Sequence, residues 1–439
     1  MSIPLSAPAP STRRRLPLYV LFTANAISST GDVLTFLAIP WFVLQTTGSV
    51  AQAGITAFFS TLSIAASAFF GSKVVDTLGF RRASVASDLL GAVAVALVPL
   101  LYGLRLLAFW ELLALVFLAG LVTTPGATAR SALVPDLAQL GGVRLERATA
   151  AEDGVTRVSR FFGAPLAGVL ITLIGTSNLL WIDGASFALS ALLIGIAVPR
   201  HSLASTPLAS AASAPTEPPA AETATKTTYL AGLRAGVAFI WHDRLLLSLI
   251  ATVLVTNLLD AGVGSVLMPA YILRTFGNAV VLGGMVASFG LAAFLGTIVY
   301  GAIGHRLPRR LTLGIGFTIG GAPRIWALAL VPFVPALLAI SALAGVGIAP
   351  VNPIFSTVTY ERVPVSFRAR VFGTTTAGAM AGTPLGGLIA GYCAVWLGLR
   401  WTLLLFGTVY LIATLSLLVN PAVRGIERPD KAAAPAPAA

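Results

Sequence analysis

Long apolar runs, separated by basic clusters or by glycine and proline, follow one another along almost the whole chain. A helix that crosses a bilayer needs roughly 20 mostly apolar residues. Runs of that length fall at 17–44, 50–75, 82–103, 107–131, 150–174, 177–198, 245–271, 279–303, 311–331, 334–359, 370–396 and 400–419. They predict an all-α membrane protein with twelve transmembrane helices. Residues 1–16 and 421–439 are rich in Pro and Ala and read as disordered tails. Residues 199–244 read as a linker, with Tyr229–Arg244 patterned as a short amphipathic helix at its end. The six-helix halves are then 17–198 and 245–420. Arg13, Arg14 and Arg15 before an apolar run imitate a signal peptide. The run is long enough to span, however, and no small-residue cleavage site follows, so it reads as an uncleaved first helix.

Composition narrows the class. The chain is 56% hydrophobic and 10% charged, against about 25% charged for a soluble domain, so it cannot cover a water-facing surface. Its net charge of +12 does not point to nucleic acid, because the cations sit at the ends of apolar runs, as the positive-inside rule requires. Only Arg105, Arg274 and Arg400 fall in loops on one side, and Arg324 lies within the ninth run. The other Lys and Arg residues mark the cytoplasmic side. Both termini and the linker are therefore expected in the cytoplasm, with the helices in the inner or plasma membrane. A single Cys393 excludes an internal disulfide and a cysteine metal cluster. His201, His242 and His305 all fall in segments read as cytoplasmic. No cofactor, metal or nucleic acid is expected. The chain lacks a Gly-x-x-x-x-Gly-Lys-Ser/Thr loop, so neither a nucleotide-driven pump nor another enzyme is expected.

A repeat underlies the pattern. The loop Gly71-Ser-Lys-Val-Val-Asp-Thr-Leu-Gly-Phe-Arg-Arg82 recurs as Gly301-Ala-Ile-Gly-His-Arg-Leu-Pro-Arg-Arg310. Asp76 corresponds to His305 and Gly79 to Pro308, both 229 residues on, and Pro40 with Pro269 and Pro135 with Pro364 keep the same spacing. Gly163-Ala-Pro-Leu-Ala-Gly168 matches Gly382-Thr-Pro-Leu-Gly-Gly387 at a spacing of 219, a shorter loop accounting for the change. A constant spacing over several helices indicates duplication.

Six helices, a linker and six more with the same motifs resemble the major facilitator superfamily over nearly the whole chain. Asp76, Gly79 and Arg81 fall on the acidic, glycine and basic positions of that family's loop between helices 2 and 3. This chain departs from the pattern with Ser72 after Gly71, and with Phe80 in place of a basic residue. The second copy keeps Gly301, Arg306, Arg309 and Arg310, with His305 and Pro308 replacing the acid and the glycine. The helix 5 and 11 segments are similar to the family's antiporter motif, with Ala164 and Ala167 as departures. Ala129-Arg-Ser-Ala-Leu-Val-Pro-Asp136 and Trp181-Ile-Asp-Gly-Ala-Ser-Phe187 resemble the branch of macrolide-type drug exporters and the enterobactin exporter. The resemblance implies two pseudo-symmetric halves around a cavity that opens to each side in turn.

The residues that can carry transport are few. Asp32 lies midway along helix 1 and Asp260 midway along helix 7, one residue before the position equivalent to Asp32. A charge at the bilayer centre costs roughly 2.5–3.5 kcal/mol on insertion scales, so both are expected to face a central cavity. An acid that gains and loses a proton as the cavity changes sides is what a proton antiporter needs, while the plainer reading is a hydrogen bond between helices. Asn25, Asn257 and Arg324 join them as candidate cavity residues. Asp183 reads as a structural hydrogen-bonding residue. Asp88 is expected to join Asp76, Arg81 and Arg82 in a cytoplasmic gate, with Gly79, Gly301, His305, Arg306, Arg309 and Arg310. At the start of helix 5, Asp153 and Arg157 have the spacing to bridge, and Arg362, Arg368 and Arg370 follow helix 10. Gly163, Pro165, Gly168, Gly382, Pro384 and Gly387 are expected to bend helices at the interface between halves. Phe22, Phe36, Trp41, Phe58, Phe59, Tyr271, Phe289 and Phe294 offer an apolar lining, or else core and lipid contacts.

The expected function is a proton-coupled exporter of amphipathic small molecules, such as drugs, secondary metabolites or siderophores. An importer or facilitator of a small nutrient is the alternative. The expected partners are the substrate, protons and the lipid bilayer, with the protein a monomer.

Overall fold

The computed structural model describes residues 15–199, 237–364 and 367–427. Most of the two expected tails and of the linker lies outside these residues, although 237–242, at the end of the expected amphipathic helix, is helical. Among the described residues, eleven helical stretches are long and apolar enough to cross a membrane. One of them, Leu145–Ala197, has 53 residues. At 1.5 Å per residue that is about 80 Å, far beyond a hydrocarbon core of about 30 Å. It is broken at Gly175, whose φ of 82° and ψ of 162° lie in a region that essentially only glycine enters.

The twelve spans are α1 (Leu16–Thr47), α2 (Val50–Leu78), α3 (Phe80–Gly103), α4 (Phe109–Gly141), α5 (145–174), α6 (176–197), α7 (Arg244–Thr275), α8 (Ala279–Ile303), α9 (Arg309–Leu330), α10 (Val334–Arg362), α11 (Arg368–Leu397) and α12 (Leu399–Val419). No strand occurs among the described residues. Gly398 separates α11 from α12 with φ 82° and ψ 156°, nearly the conformation of Gly175. The repeat therefore extends to the backbone of a one-residue turn.

Proline acts differently in the two copies. α5 continues as a helix through Pro165. α11 is interrupted at Ala381 and Gly382, and Pro384 opens its second piece (Thr383–Leu397), where a missing N–H costs nothing. In α7, Pro269 follows a π-helical turn, Val263–Leu267. A wider turn there accommodates a residue that cannot donate to the ladder.

The described residues form two compact units, 15–38 with 62–163 and 174–199, and 39–61 with 164–173, 237–364 and 367–427. In the first, Leu18, Leu21 and Ala24 of α1 pack on Leu133, Leu137 and Ala138 of α4 and Ile194 of α6. In the second, Leu245 and Leu249 of α7 pack with Leu313 and Phe317 of α9, Ile354 and Val358 of α10, and Val423 and Ile426 of a short 3-10 turn, Pro421–Ile426. Large apolar residues such as Leu173, Ile196, Trp396 and Val419 are exposed. A surface this apolar suits lipid rather than water.

Candidate functional site

In the first unit, Arg130 of α4 is buried against Asp88 of α3. Its Nη1 lies 2.6 Å from Asp88 Oδ1, with side chains 3% and 0% exposed. Ser190 of α6 donates to Asp88 Oδ2 at 2.7 Å. Arg130 also donates to Ser28 Oγ at 3.1 Å and Asn25 Oδ1 at 3.3 Å. A buried ion pair is tolerable when its remaining hydrogen-bonding groups are met in this way. Asp88 thus points into α4 and α6 and does not join the 71–82 loop as expected, because the cation that meets it comes from α4. Asn25, expected in the cavity, is engaged by Arg130.

Asp32, on the same α1 helix, is different. Its side chain is exposed, and no hydrogen bond or ion pair holds it among the described residues. Asp183 of α6 is fully buried. It accepts hydrogen bonds from Thr35 of α1 and from Ser186 Oγ at 3.1 Å.

In the second unit, Arg324 of α9 meets Asp260 of α7 at 2.7 Å, with side chains 15% and 37% exposed. Its guanidinium lies 4.8 Å from the Phe289 ring centre, within cation–π range. Tyr410 of α12 approaches Asp260 Oδ2 at 3.5 Å, and a side chain at Gly321 would collide with the Tyr410 ring. Asp260 and Arg324 are therefore brought together, while Asn257 donates to the Ala379 carbonyl of α11 at 2.9 Å and ties two helices. Among the candidate aromatics, Trp41 is buried, Phe36 and Phe294 are exposed, and Phe289 lies under the Arg324 guanidinium.

The two copies of the charged loop motif share one contact. Arg81 donates to the Gly195 carbonyl near the end of α6, and Arg310 donates to the Leu418 carbonyl near the end of α12. Each satisfies a carbonyl that the last turn of a helix leaves open. Gly79 turns the first loop with φ 76°, whereas the second uses a 3-10 turn, Gly304–Arg306, before Pro308. Asp76 and Arg82 are exposed and enter no ion pair of the described residues. In the second loop Arg309 holds Glu361 through two bonds of 2.7 and 2.9 Å, and Arg306 donates to His305 Nε2 at 3.2 Å. Gly301 faces open space. Asp153 and Arg157 do not pair among the described residues. Arg362 binds Asp243, the N-cap of α7, at 2.8 Å.

The glycines of the helix 5 and 11 segments set close crossings. A Cβ on Gly168 would lie 2.6 Å from the Ala279 carbonyl of α8, and one on Gly387 2.7 Å from Ala57 of α2. Gly54 of α2 meets the Gly387 carbonyl at 2.6 Å in the same sense. Gly163 faces Val33, and Gly382 faces Leu254 and Leu258.

Two polar partners, Arg130 and Tyr410, escape sequence reasoning. Hydropathy ends helix 4 at 131, so Arg130 reads as a terminal cation, but α4 continues to Gly141 and carries Arg130 within the helix. An arginine three turns before a helix end is the signal that finds it. Tyr410 has no signal beyond a polar tip in an apolar run.

An intramembrane arrangement of this kind, on twelve helices in repeated order, defines a membrane transporter. The family model described as Major Facilitator Superfamily matches residues 21–262 and again 250–439, and the chain belongs to that superfamily. A protein of Mycobacterium bovis (strain BCG / Pasteur 1173P2) named multidrug efflux pump Tap is 29% identical over 423 residues, covering 94% of this chain and 95% of its own. Its namesake in Mycolicibacterium fortuitum is 29% identical over 422 residues, covering 95% and 99%. Among solved structures, the nucleoside transporter NupG superposes with a TM-score of 0.72 at 12% identity, covering 92% of this chain and 98% of its own. A bacterial homologue of the human lysosomal transporter Spinster gives 0.67 at 15% identity, covering 96% and 99%. These last two likenesses show the fold.

Proposed function

We propose that this protein is a proton-coupled exporter of amphipathic small molecules, drugs among them, working by alternating access. The observation that carries the coupling is Asp32: an exposed carboxyl halfway along an apolar spanning helix, with no hydrogen-bond or ion-pair partner among the described residues. Nothing in the fold requires an acid there for packing, and an unpaired intramembrane acid is a functional group by default. Export is supported by the relatives named multidrug efflux pumps, which match the chain over nearly its whole length. One proton moved inward exchanges about 2.3 kcal/mol per 100 mV of membrane potential, enough to drive an opposing gradient.

In this reading residues 17–198 and 245–420 are the two halves, and Asp32 with Asp260 serves the substrate and proton path. The close crossings of α2 on α11 and α5 on α8 are contacts that part when the cavity changes sides. Arg81 and Arg310 keep the third and sixth helices of each half together during that movement. The protein sits in the plasma membrane as a monomer, with both termini cytoplasmic, and its cycle includes no enzymatic step.

The test uses purified protein in liposomes, an imposed pH gradient and a cationic fluorescent drug. Gradient-driven accumulation that disappears with Asp32→Asn is the expected result. Transport that ignores the gradient, or that survives the substitution, leaves a facilitator or importer without proton antiport.

A further inference from the structure

The transport reading gives no task to Asp183. It is fully buried in α6, in the midst of an apolar span. The described ion pairs give it no cation, and its partners are the neutral hydroxyls of Thr35 and Ser186. A charge in that position is costly unless it is paired. The neighbouring helix is shaped around this carboxyl. Gly31 of α1 lies directly against it, and a side chain at 31 would occupy the place of Asp183 Oδ1 and Ser186 Oγ. Gly31 and Thr35 are one turn apart and hold the carboxyl between them. Asp32 is next to Gly31 and three residues from Thr35, a spacing that puts Asp32 and Thr35 on neighbouring positions of the helix surface.

We propose that Asp183 is a second proton-binding group of this transporter, coupled to Asp32 through the Thr35 hydroxyl. The proposal rests on the reading that Asp32 carries the exchanged proton. The transfer moves one proton and nothing else. In the structure the Thr35 hydroxyl is turned to Asp183, and no described hydrogen bond joins it to Asp32, so the transfer requires the hydroxyl to turn. Protonated Asp183 gives its proton to the Thr35 oxygen, and the hydroxyl, swung within hydrogen-bond reach of Asp32, passes its own hydrogen to the Asp32 carboxylate. Asp183 is left ionised and Asp32 neutral.

Few other charged groups face this pair. From α1 there is only Asp32, which Asp183 senses through space. From α3 there is Asp88, already held by Arg130 and by Ser190, two turns further along α6. Arg130 and Arg160 act on Asp32. Two interacting carboxyls titrate as a pair, so removing one must displace the titration of the other. A purely structural hydrogen bond makes no such demand. Asparagine would keep both contacts, because a hydroxyl can accept as well as donate.

The test is an infrared pH titration of the protonated-carboxyl band, with the full-length protein in lipid. In the part of the band that Asp183→Asn and Asp32→Asn alter, wild type is expected to lose absorption in two steps as the pH rises. Asp183→Asn should remove one step and shift the midpoint of the other, and Asp32→Asn should do the reverse. Thr35→Val keeps both acids and should bring the two steps closer to independent titration. It decides the matter if Asp183→Asn does not fold. A titration unchanged by Asp183→Asn, or by Thr35→Val where that variant decides, overturns the proposal. Drug accumulation measured on the same vesicles judges the antiport reading separately. Two coupled steps without gradient-driven transport would sink that reading and leave the coupled acids standing.

Discussion

Asp32 and Asp260 occupy nearly corresponding places in α1 and α7, yet they have opposite surroundings. Asp32 is bare. Asp260 holds Arg324 and is approached by Tyr410. One residue of offset from the repeat turns Asp260 by about 100° around its helix, toward α9. The position matching Arg324 in the first half is Val95, which is buried and apolar. The reverse holds for the buried pair of the first unit. Asp88 and Arg130 correspond to Phe317 and Thr359, both buried in the second. The first unit therefore separates its duties: one acid is locked with arginine and another stands free. The second gives a single acid both a cation and an open edge. Duplication has preserved the helices and turns, while the charges have diverged.

The comparison breaks first at Arg130. Arg130→Met leaves Asp88 buried and unpaired, at an expected cost of about 3–5 kcal/mol, read as a large fall in the melting temperature of the purified protein. Adding Asp88→Leu should recover more than half of that loss. A single mutant that melts like wild type would mean that the pair holds nothing. Arg324→Met should cost less, about 1–2 kcal/mol, because that pair is partly open and lies between the buried and surface limits. Equal losses for the two arginines would erase the proposed difference between the units. Tyr410→Phe removes one long hydrogen bond and should cost about 0.5 kcal/mol, with drug transport retained. The smallest stability effect is expected at Asp32. Asp32→Asn breaks no contact and should change stability by less than about 0.5 kcal/mol, while abolishing gradient-driven drug accumulation. A large destabilisation there would show that Asp32 has a structural partner after all.

The architecture was legible because a membrane span advertises itself by length and apolarity. The repeat was legible because proline, glycine and arginine recur at a fixed spacing. The acids of α1 and α7 stood out for the same reason, as charges in apolar runs. Their partners did not, because a partner is chosen by helix rotation and helix neighbours, which a linear pattern does not encode. Asp88 illustrates this. Two turns from a basic loop it reads as part of that loop, but α4 and α6 supply Arg130 and Ser190 on its other side. Arg81 and Arg310 read as gate cations, and their contacts with the Gly195 and Leu418 carbonyls could not be read from the linear pattern. Gly175 shows the converse limit: its positive φ had to be seen before a 53-residue helix could be recognised as two spans.

The one-residue turns at Gly175 and Gly398 have a practical consequence. With the similarly brief joins after Thr47, Thr275 and Leu330, these connections between helices expose almost no loop. An antibody, a protease or an inserted epitope finds little to grasp there. Recognition tags belong on the longer connections instead, such as the one between α6 and α7.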